Sequence, residues 1–231
     1  MMVGEGPDWK VHYPHKLSLY AKHFDLVEVN ATFYRLPQFK TAEHWGQLAR
    51  EVNPNFGFAV KVNRAITHFD RFRTERSFEV YAETNQIATA LQAKVLLFQT
   101  PRSFRPSEEN LDHVRRFFEK IDRRDHVIIF EPRGWDEKTL KPLLEELSLI
   151  HGVDPFANQP LITKLAYFRL HGSPPGERMY RYDYTREDLL ALAQSIASLK
   201  TEEVYVLFNN DHMVENALAF KEILRSDKKL L

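Results

Sequence analysis

Short runs of β-branched and aromatic residues alternate with longer segments of helical periodicity along most of this chain. The alternation restricts the fold strongly, because strands that are joined by helices pair in parallel. The strand candidates are Met1–Glu5, Asp25–Asn30, Phe56–Asn63, Lys94–Thr100, His126–Arg133, Ser148–Asp154, Leu165–His171 and Glu203–Asn210. Eight strands in 231 residues favour a closed (β/α)8 barrel, the TIM-type fold, over an open sheet.

Helical patterns occupy the intervals between these strands. Ser107 stands where it could cap a helix, and Thr185 with Asp188 has the spacing of a capping box. The other predicted helices are Pro14–Phe24, Thr41–Glu51, Ser77–Leu91, Thr139–Leu147 and Met213–Leu224. Two places are irregular, because Pro155–Lys164 is too short for a full helix and Gly172–Tyr184 is a long loop between the predicted strand and its helix. Predicted strand one is also short. We expect a single domain over residues 1–231, since no segment resembles a linker.

Composition argues against several classes of function. Lys plus Arg and Asp plus Glu number 32 each, and a net charge of zero does not favour general nucleic-acid binding. The sequence contains no cysteine, so disulfides, thiolate metal sites and cysteine nucleophiles are excluded. No apolar run has the length of a membrane span or of a signal peptide, so we expect a cytoplasmic protein without membrane partners. No G-x-G-x-x-G motif follows predicted strand one, which argues against a dinucleotide fold.

Polar side chains collect near the carboxyl ends of five predicted strands. Side chains alternate between the two faces of a strand, and one face of each of these strands is wholly apolar. The opposite face begins apolar and then carries Glu28 and Asn30, Lys61, Gln99, Glu131 and Arg133, or Arg169 and His171. Barrel enzymes place their sites at this end, so the pattern predicts a polar pocket of mixed charge. The alternative is a salt-bridged plug, in which Lys61, Arg133 and Arg169 neutralise the two glutamates.

Several segments resemble the YecE-like proteins, the family of domain of unknown function 72. The matching segments are VEVNATFYRLP (27–37), FAVKVNRAITH (58–68), FQTP (98–101), FEPRGW (130–135), YFRLHG (167–172) and VLFNND (206–211), followed by Asn216. They follow the family's order and span most of the chain, so the resemblance implies a TIM-type barrel. It implies no reaction, because the family has no firmly established activity. The opening MMVGEGPDWK departs from the family's usual first strand, which leaves the contribution of that strand to the pocket open.

Three residues are candidates for catalysis. Glu28 and Glu131 could act as acid and base across the barrel mouth, as paired carboxylates do in glycoside hydrolysis. The alternative is that each anchors a neighbouring arginine or lysine. His171 could transfer protons near neutral pH, or it could be an ordinary hydrogen-bonded histidine at a strand end.

Basic and amide side chains are candidates for substrate binding. Arg133 and Arg169 suit bidentate binding of a carboxylate or phosphate. Lys61 could hold an anion, pair with Glu28 or, if desolvated, form a Schiff base. The remaining candidates are Asn30, His68, Gln99, Tyr182, Asn209 and Asn210. Successive residues 209 and 210 have opposite parity, so at most one of those two amides faces the interior.

Three hypotheses follow for the function. The first is an enzyme of hydrolase or isomerase type that acts on a small polar ligand, anionic or sugar-like, at the carboxyl ends of the strands. The second is a barrel that binds nucleic acid or processes phosphodiesters, and the third is a ligand-binding barrel without catalysis. No cofactor is predicted, although Glu28, Glu131, Asp154 and His171 could in principle hold a divalent metal. The sequence does not specify an oligomeric state.

Overall fold

The structure is a computed structural model of the 231-residue chain and describes residues 15–162, 164–172 and 179–226. Predicted strand one, Met1–Glu5, lies outside these residues. The described residues fall into two compact units, which lie within Gly6–Leu149 and Ile150–Leu231. We call them the first and the second unit, and each is described by itself.

The first unit contains four parallel strands in chain order. They are β1 (Leu26–Val29), β2 (Gly57–Lys61), β3 (Val95–Thr100) and β4 (Val127–Pro132). Its α-helices are α1 (Lys16–His23), α2 (Ala31–Tyr34), α3 (Phe39–Val52), α4 (Glu75–Leu91), α5 (Glu108–Lys120) and α6 (Glu137–Glu146). A π-helix, Ala65–Asp70, follows β2. The carboxyl ends of the four strands therefore lie along one edge of the sheet.

The second unit contains three parallel strands, also in chain order. They are β5 (Ile150–Val153), β6 (Ala166–Leu170) and β7 (Val204–Phe208), and the helices are α7 (Arg186–Ser198) and α8 (Met213–Ser226). The described part of the interval between β5 and β6 contains no helix, in line with the prediction for Pro155–Lys164.

The strand register separates an apolar face from a polar one in the first unit. Val29 pairs with Val60, which in turn pairs with Leu96, and Phe98 pairs with Phe130. These five side chains share one face. In the centre of the sheet this face packs on helices, where Phe98 and Phe130 both lie within 6 Å of the Phe118 ring of α5. Each buried phenylalanine contributes about 1.5–3 kcal/mol to folding through the apolar area it removes from water.

The second unit separates its faces in the same way. Ala166, Phe168 and Leu170 of β6 are buried in a cluster with Leu189 of α7 and Phe220 of α8. The register pairs β6 with β7 residue by residue, so Tyr167 and Arg169 lie on the opposite face. The alternation predicted from the sequence is thus present in both units.

Seven of the eight predicted strands are confirmed, as β1 to β7. Ser107 caps α5 by accepting a hydrogen bond from the Asn110 amide, and Thr185 with Asp188 forms the predicted capping box of α7. The sequence did not predict α2 or the π-helix. Among the described residues, none of the helices combines the length and apolar character needed to cross a bilayer.

Candidate functional site

Four of the predicted site residues share one face of the first unit's sheet. Glu28 pairs with Ala59, two residues before Lys61 on β2, and Gln99 of β3 pairs directly with Glu131 of β4. All four polar side chains are buried, with relative exposures of 6–9%. A buried charge is costly unless other groups compensate it, so the surroundings of these residues decide what they can do.

Glu131 forms an ion pair with the arginine that follows β4. Arg133 Nε lies 3.5 Å from Glu131 Oε1, and the side chains are 29% and 9% exposed respectively. This ion pair is one of those expected for the salt-bridged plug. Arg133 is the more exposed member of the pair, and Glu131 is the buried one.

Glu28 lies near the helix that precedes β1. Burial and the negative charge of Glu28 together raise the pKa of Tyr20, on α1, to about 12. The Tyr20 hydroxyl donates to the Leu26 carbonyl at 3.3 Å. Tyr20 therefore remains protonated at neutral pH, in part because of the nearby charge of Glu28.

Lys61 lies against an aromatic ring of α2. Its Nζ is 4.2 Å from the centre of the Phe33 ring, a cation–π contact, and the same ring meets the His68 ring edge-to-face at 4.9 Å. Thr32 Oγ1 lies 2.6 Å from the Val29 carbonyl oxygen and 2.7 Å from that of Lys61, so its proton bonds to one of the two. This buried hydroxyl connects α2 to the ends of β1 and β2.

His68 is surrounded by positive charge. Burial, together with the charges of Lys61, Arg133, Arg71 and Arg64, lowers the pKa of His68 to about 4. The imidazole is therefore neutral at pH 7, and its Nδ1 lies 2.9 Å from Thr67 Oγ1. We call these four cations and His68 the His68 cluster. Several cations around a neutral ring produce a positive potential that attracts an anion.

The π-helix that carries His68 ends in a strained turn. Arg71 and Phe72 have φ angles of 55° and 64°, which are costly for residues other than glycine, at about 1–3 kcal/mol each. Arg71 donates to the His68 carbonyl at 3.4 Å and to Ser103 Oγ at 3.2 Å, and Phe72 is fully buried. The buried ring thus holds the turn that points Arg71 into the cluster, and π-helical turns are frequent at functional sites.

Asn30 is exposed, because β1 ends at Val29 and α2 begins at Ala31. Its side chain does not cap α2. Asn63 instead orders the turn after β2, since its amide donates to the Thr32 carbonyl at 3.0 Å and accepts from the Ala65 amide at 3.0 Å. A binding role for Asn30 stays a prediction.

In the second unit, Arg169 and His171 are in direct contact. Arg169 Nη1 donates to His171 Nε2 at 3.2 Å, and Nη2 lies 3.4 Å from Asn209 Oδ1. Asp154 accepts a hydrogen bond from the His171 amide at 3.0 Å and lies 3.7 Å from His171 Nδ1. A guanidinium only donates, so His171 Nε2 accepts and the ring proton is on Nδ1, towards Asp154. His171 could act as a base at Nε2 only after Arg169 moves away.

Tyr182 and Asn210 make contacts within the second unit. The Asn210 amide donates to the Tyr182 carbonyl at 2.8 Å and to Asn216 Oδ1 at 2.6 Å, while the Tyr182 hydroxyl donates to Asp188 at 2.8 Å. These bonds connect the segment around Tyr182, which precedes α7, to α7 and α8. The residue that packs on His171 is Tyr180, whose ring lies 5.9 Å away and is 41% exposed.

No group of three or more histidine, aspartate or glutamate side chains is placed to bind a metal within the described ranges. Four residues of the candidate site were not predicted from the sequence: Phe33, Arg64, Thr67 and Arg71. The segment NRAITHFDRFR, residues 63–73, carries three arginines around His68, and that charge density was the available signal.

Comparison with known proteins agrees with the predicted family. The family described as "Protein of unknown function DUF72" matches residues 6–231. The UPF0759 protein YunF of Bacillus subtilis (strain 168) is 25% identical, over 85% of this chain and 80% of YunF.

Two solved structures of DUF72 family proteins superpose on most of the chain. EF0366 from Enterococcus faecalis V583 has a TM-score of 0.75 at 21% identity, covering 92% of this chain and 94% of EF0366. TM1631 from Thermotoga maritima MSB8 has a TM-score of 0.71 at 26% identity, covering 96% of this chain and 91% of TM1631. The predicted fold class, a TIM-type α/β barrel, is confirmed by these matches.

Proposed function

Because the chain belongs to DUF72, a family of unknown function, we propose its activity from its site: an enzyme that acts on a small, polar, anionic ligand in the cytoplasm. The chemistry we propose is hydrolysis or isomerisation. The observation that carries this proposal is the geometry of the His68 cluster at the carboxyl end of β2. Lys61 lies 4.2 Å from the Phe33 ring, that ring meets the His68 ring at 4.9 Å, and Arg71 donates to the His68 carbonyl.

The charges of the cluster favour an anion over a neutral sugar. Two unit charges 4 Å apart near a protein surface interact by about 4 kcal/mol, so several cations together compensate the desolvation of a phosphate or carboxylate. Arg71 and Arg133 can each offer two parallel N–H donors to such a group, whereas Lys61 acts as a point charge.

In the proposed site Glu131 transfers the proton. It is buried, it lies at the carboxyl end of β4, and its partner Arg133 is the more exposed of the pair. An anionic ligand that engages Arg133 therefore comes within reach of the Glu131 carboxylate. Gln99, paired with Glu131 in the sheet, orients the ligand, and Glu28 is the second candidate for proton transfer. The roles of Arg169, His171, Tyr182, Asn209 and Asn210 stay predictions.

A ligand-binding protein without catalysis is the second candidate, and the Glu131–Arg133 ion pair favours it. A carboxylate that serves only to hold an arginine in place needs no proton-transfer role. The two candidates share the same anion site and differ only in turnover.

A thermal-shift screen tests the proposal. The probes are sugar phosphates, sugar acids and the corresponding uncharged sugars, each with wild type, Arg133→Ala and Glu131→Gln. At a hundredfold excess over Kd a true ligand raises the Tm by roughly 5–10 °C. We expect anionic probes alone to stabilise wild type and Arg133→Ala to lose the effect. Glu131→Gln should be stabilised as wild type is, while product analysis of the same mixtures should show conversion of the probe by wild type only.

The matched control is Arg76→Ala, which removes an exposed arginine paired with Glu79 on α4. It should respond to every probe as wild type does. Stabilisation by uncharged sugars alone, or an equal response of the Arg133 variant and wild type, would contradict the proposal. Binding of a probe that Glu131→Gln still converts would remove Glu131 from the mechanism.

A further inference from the structure

Two exposed aromatic rings lie on a single arginine of the His68 cluster. The guanidinium of Arg64 is 5.4 Å from the centre of the Tyr34 ring and 5.2 Å from that of the Phe69 ring. Tyr34 is 65% exposed and Phe69 is 64% exposed, the two highest values among the large hydrophobic residues that the structure describes. Single exposed aromatics are common, but two rings arranged on one guanidinium form an ordered surface.

This surface is continuous with the anion site. The Tyr34 ring meets the Phe33 ring at 5.0 Å, and Phe33 in turn contacts Lys61 and His68. Phe69 directly follows His68 in the π-helix. A ligand that places a negative charge among the cations of the cluster therefore has planar protein groups beside it.

Planar rings and guanidinium groups stack on nucleobases. Aromatic side chains stack on any base, because every base has a π-face, and arginine adds a cation–π contribution. A sugar phosphate supplies the anion but no planar group for this surface. A nucleoside phosphate supplies both, with the ribose between them.

The chain's overall charge favours a small nucleotide over a polymer. Its 32 basic residues are balanced by 32 acidic ones, whereas binding to a nucleic-acid backbone depends on neutralising many phosphates along an extended track. The cations of the His68 cluster and the rings of Tyr34 and Phe69 form one small patch, which suits a ligand with a single phosphate.

We infer that the anionic ligand of the proposed site is a nucleoside monophosphate. Its phosphate binds to Arg71, Arg133 and Lys61, and its base stacks on Tyr34, Arg64 and Phe69. The inference rests on the proposed function, because it specifies the ligand of that same anion site.

Calorimetric titration of the full chain tests the inference. The probes are the four nucleoside 5′-monophosphates, adenosine and ribose 5-phosphate. We expect at least one nucleotide to bind tenfold or more tightly than ribose 5-phosphate. In the double variant Tyr34→Ala/Phe69→Ala its Kd should rise roughly 5- to 150-fold, the range for loss of stacking on one base, while binding of ribose 5-phosphate stays unchanged.

Two controls accompany the double variant. Phe39→Ala removes another exposed aromatic, 49% exposed on α3, and should leave nucleotide binding unchanged. The exchange Tyr34→Phe/Phe69→Tyr keeps both rings and should keep the affinity. Circular dichroism and the Tm without ligand establish that each variant is folded.

The outcomes separate the inference from the proposed function. Equal binding of ribose 5-phosphate and all four nucleotides, unaffected by the double variant, would overturn the inference and leave the anion site standing. Failure of every phosphorylated probe to bind would overturn the inference, and failure of the sugar acids as well would overturn the proposed function. Binding of a single-stranded oligonucleotide a hundredfold or more tightly than any mononucleotide, lost in the double variant, would replace the small ligand with a polymer.

Discussion

The two units use the same residue types at their strand ends, but they arrange them differently. In the first unit Arg64, Arg71 and Arg133 are half-buried and lie around a neutral histidine. In the second unit Arg169 is 2% exposed and donates to His171 and Asn209. We therefore expect an arginine near a strand end to be structural where its guanidinium is fully buried, as in Arg169, and to be accessible to a ligand where it is half-buried, as in Arg133. The comparison explains why we place the anion site in the first unit.

The largest effect we expect on stability comes from removing the buried arginine. Arg169→Ala leaves the acceptors on His171 and Asn209 without their donor and opens a cavity, so the free energy of unfolding should fall by about 3 kcal/mol. Arg71→Ala, in the first unit, removes two long and partly exposed hydrogen bonds and should cost about 1 kcal/mol or less. Urea unfolding measures both values. Equal losses in the two variants would break the distinction between the units.

A smaller effect on stability is expected from the side-chain amide of Asn216, which forms a hydrogen-bond network within the second unit. Asn216 accepts from the Asn210 amide at 2.6 Å and from the Tyr184 amide at 3.3 Å, and it donates to Asp183 at 2.8 Å. Asn216→Ala should therefore cost about 2 kcal/mol of unfolding free energy. The exposed Asn30 is the control, and Asn30→Ala should change stability by about 0.5 kcal/mol at most. If Asn216→Ala lowers the free energy of unfolding by no more than about 0.5 kcal/mol, the network does not stabilise the segment around Asp183 and Tyr184.

A further effect concerns pH and follows from the lowered pKa of His68. Its pKa in the folded chain is about 4, below the ordinary value of 6.5, so the unfolded chain binds the proton more readily. Stability should consequently fall as the pH decreases from about 6.5 to about 4, and His68→Gln should reduce this slope. Urea unfolding at pH 7.5, 5.5 and 4.5 gives the comparison. An unchanged slope in the variant would mean that His68 is not held neutral.

Much of the fold could be predicted, because alternation along a strand is a local property. The strands from β1 to β7 and the caps at Ser107 and Thr185 follow from short-range patterns. The helix α2 has only four residues and depends on the contacts of Thr32 with the ends of two strands, which no local periodicity records. The π-helix likewise depends on the burial of Phe72.

The candidate site was predictable where its residues lie on strands. Glu28, Lys61, Gln99 and Glu131 share a face because the parity of a strand determines it. Beyond the last strand residue the parity rule no longer applies. Asn30 is therefore exposed, and the Asn210 side chain donates to the Tyr182 carbonyl. Arg64 and Arg71 belong to the His68 cluster because they lie at the two ends of the π-helix.

The central claim is that the His68 cluster binds an anion, and the NMR titration of the His68 ring tests it most directly. Inorganic phosphate is added at constant ionic strength, and the ring's pKa is measured with and without it. A bound anion favours the imidazolium, so phosphate should raise the pKa of His68 from about 4 in wild type and in Arg76→Ala, but not in Arg71→Ala/Arg133→Ala. A pKa that phosphate leaves unchanged in wild type, or raises equally in the double variant, would contradict the claim.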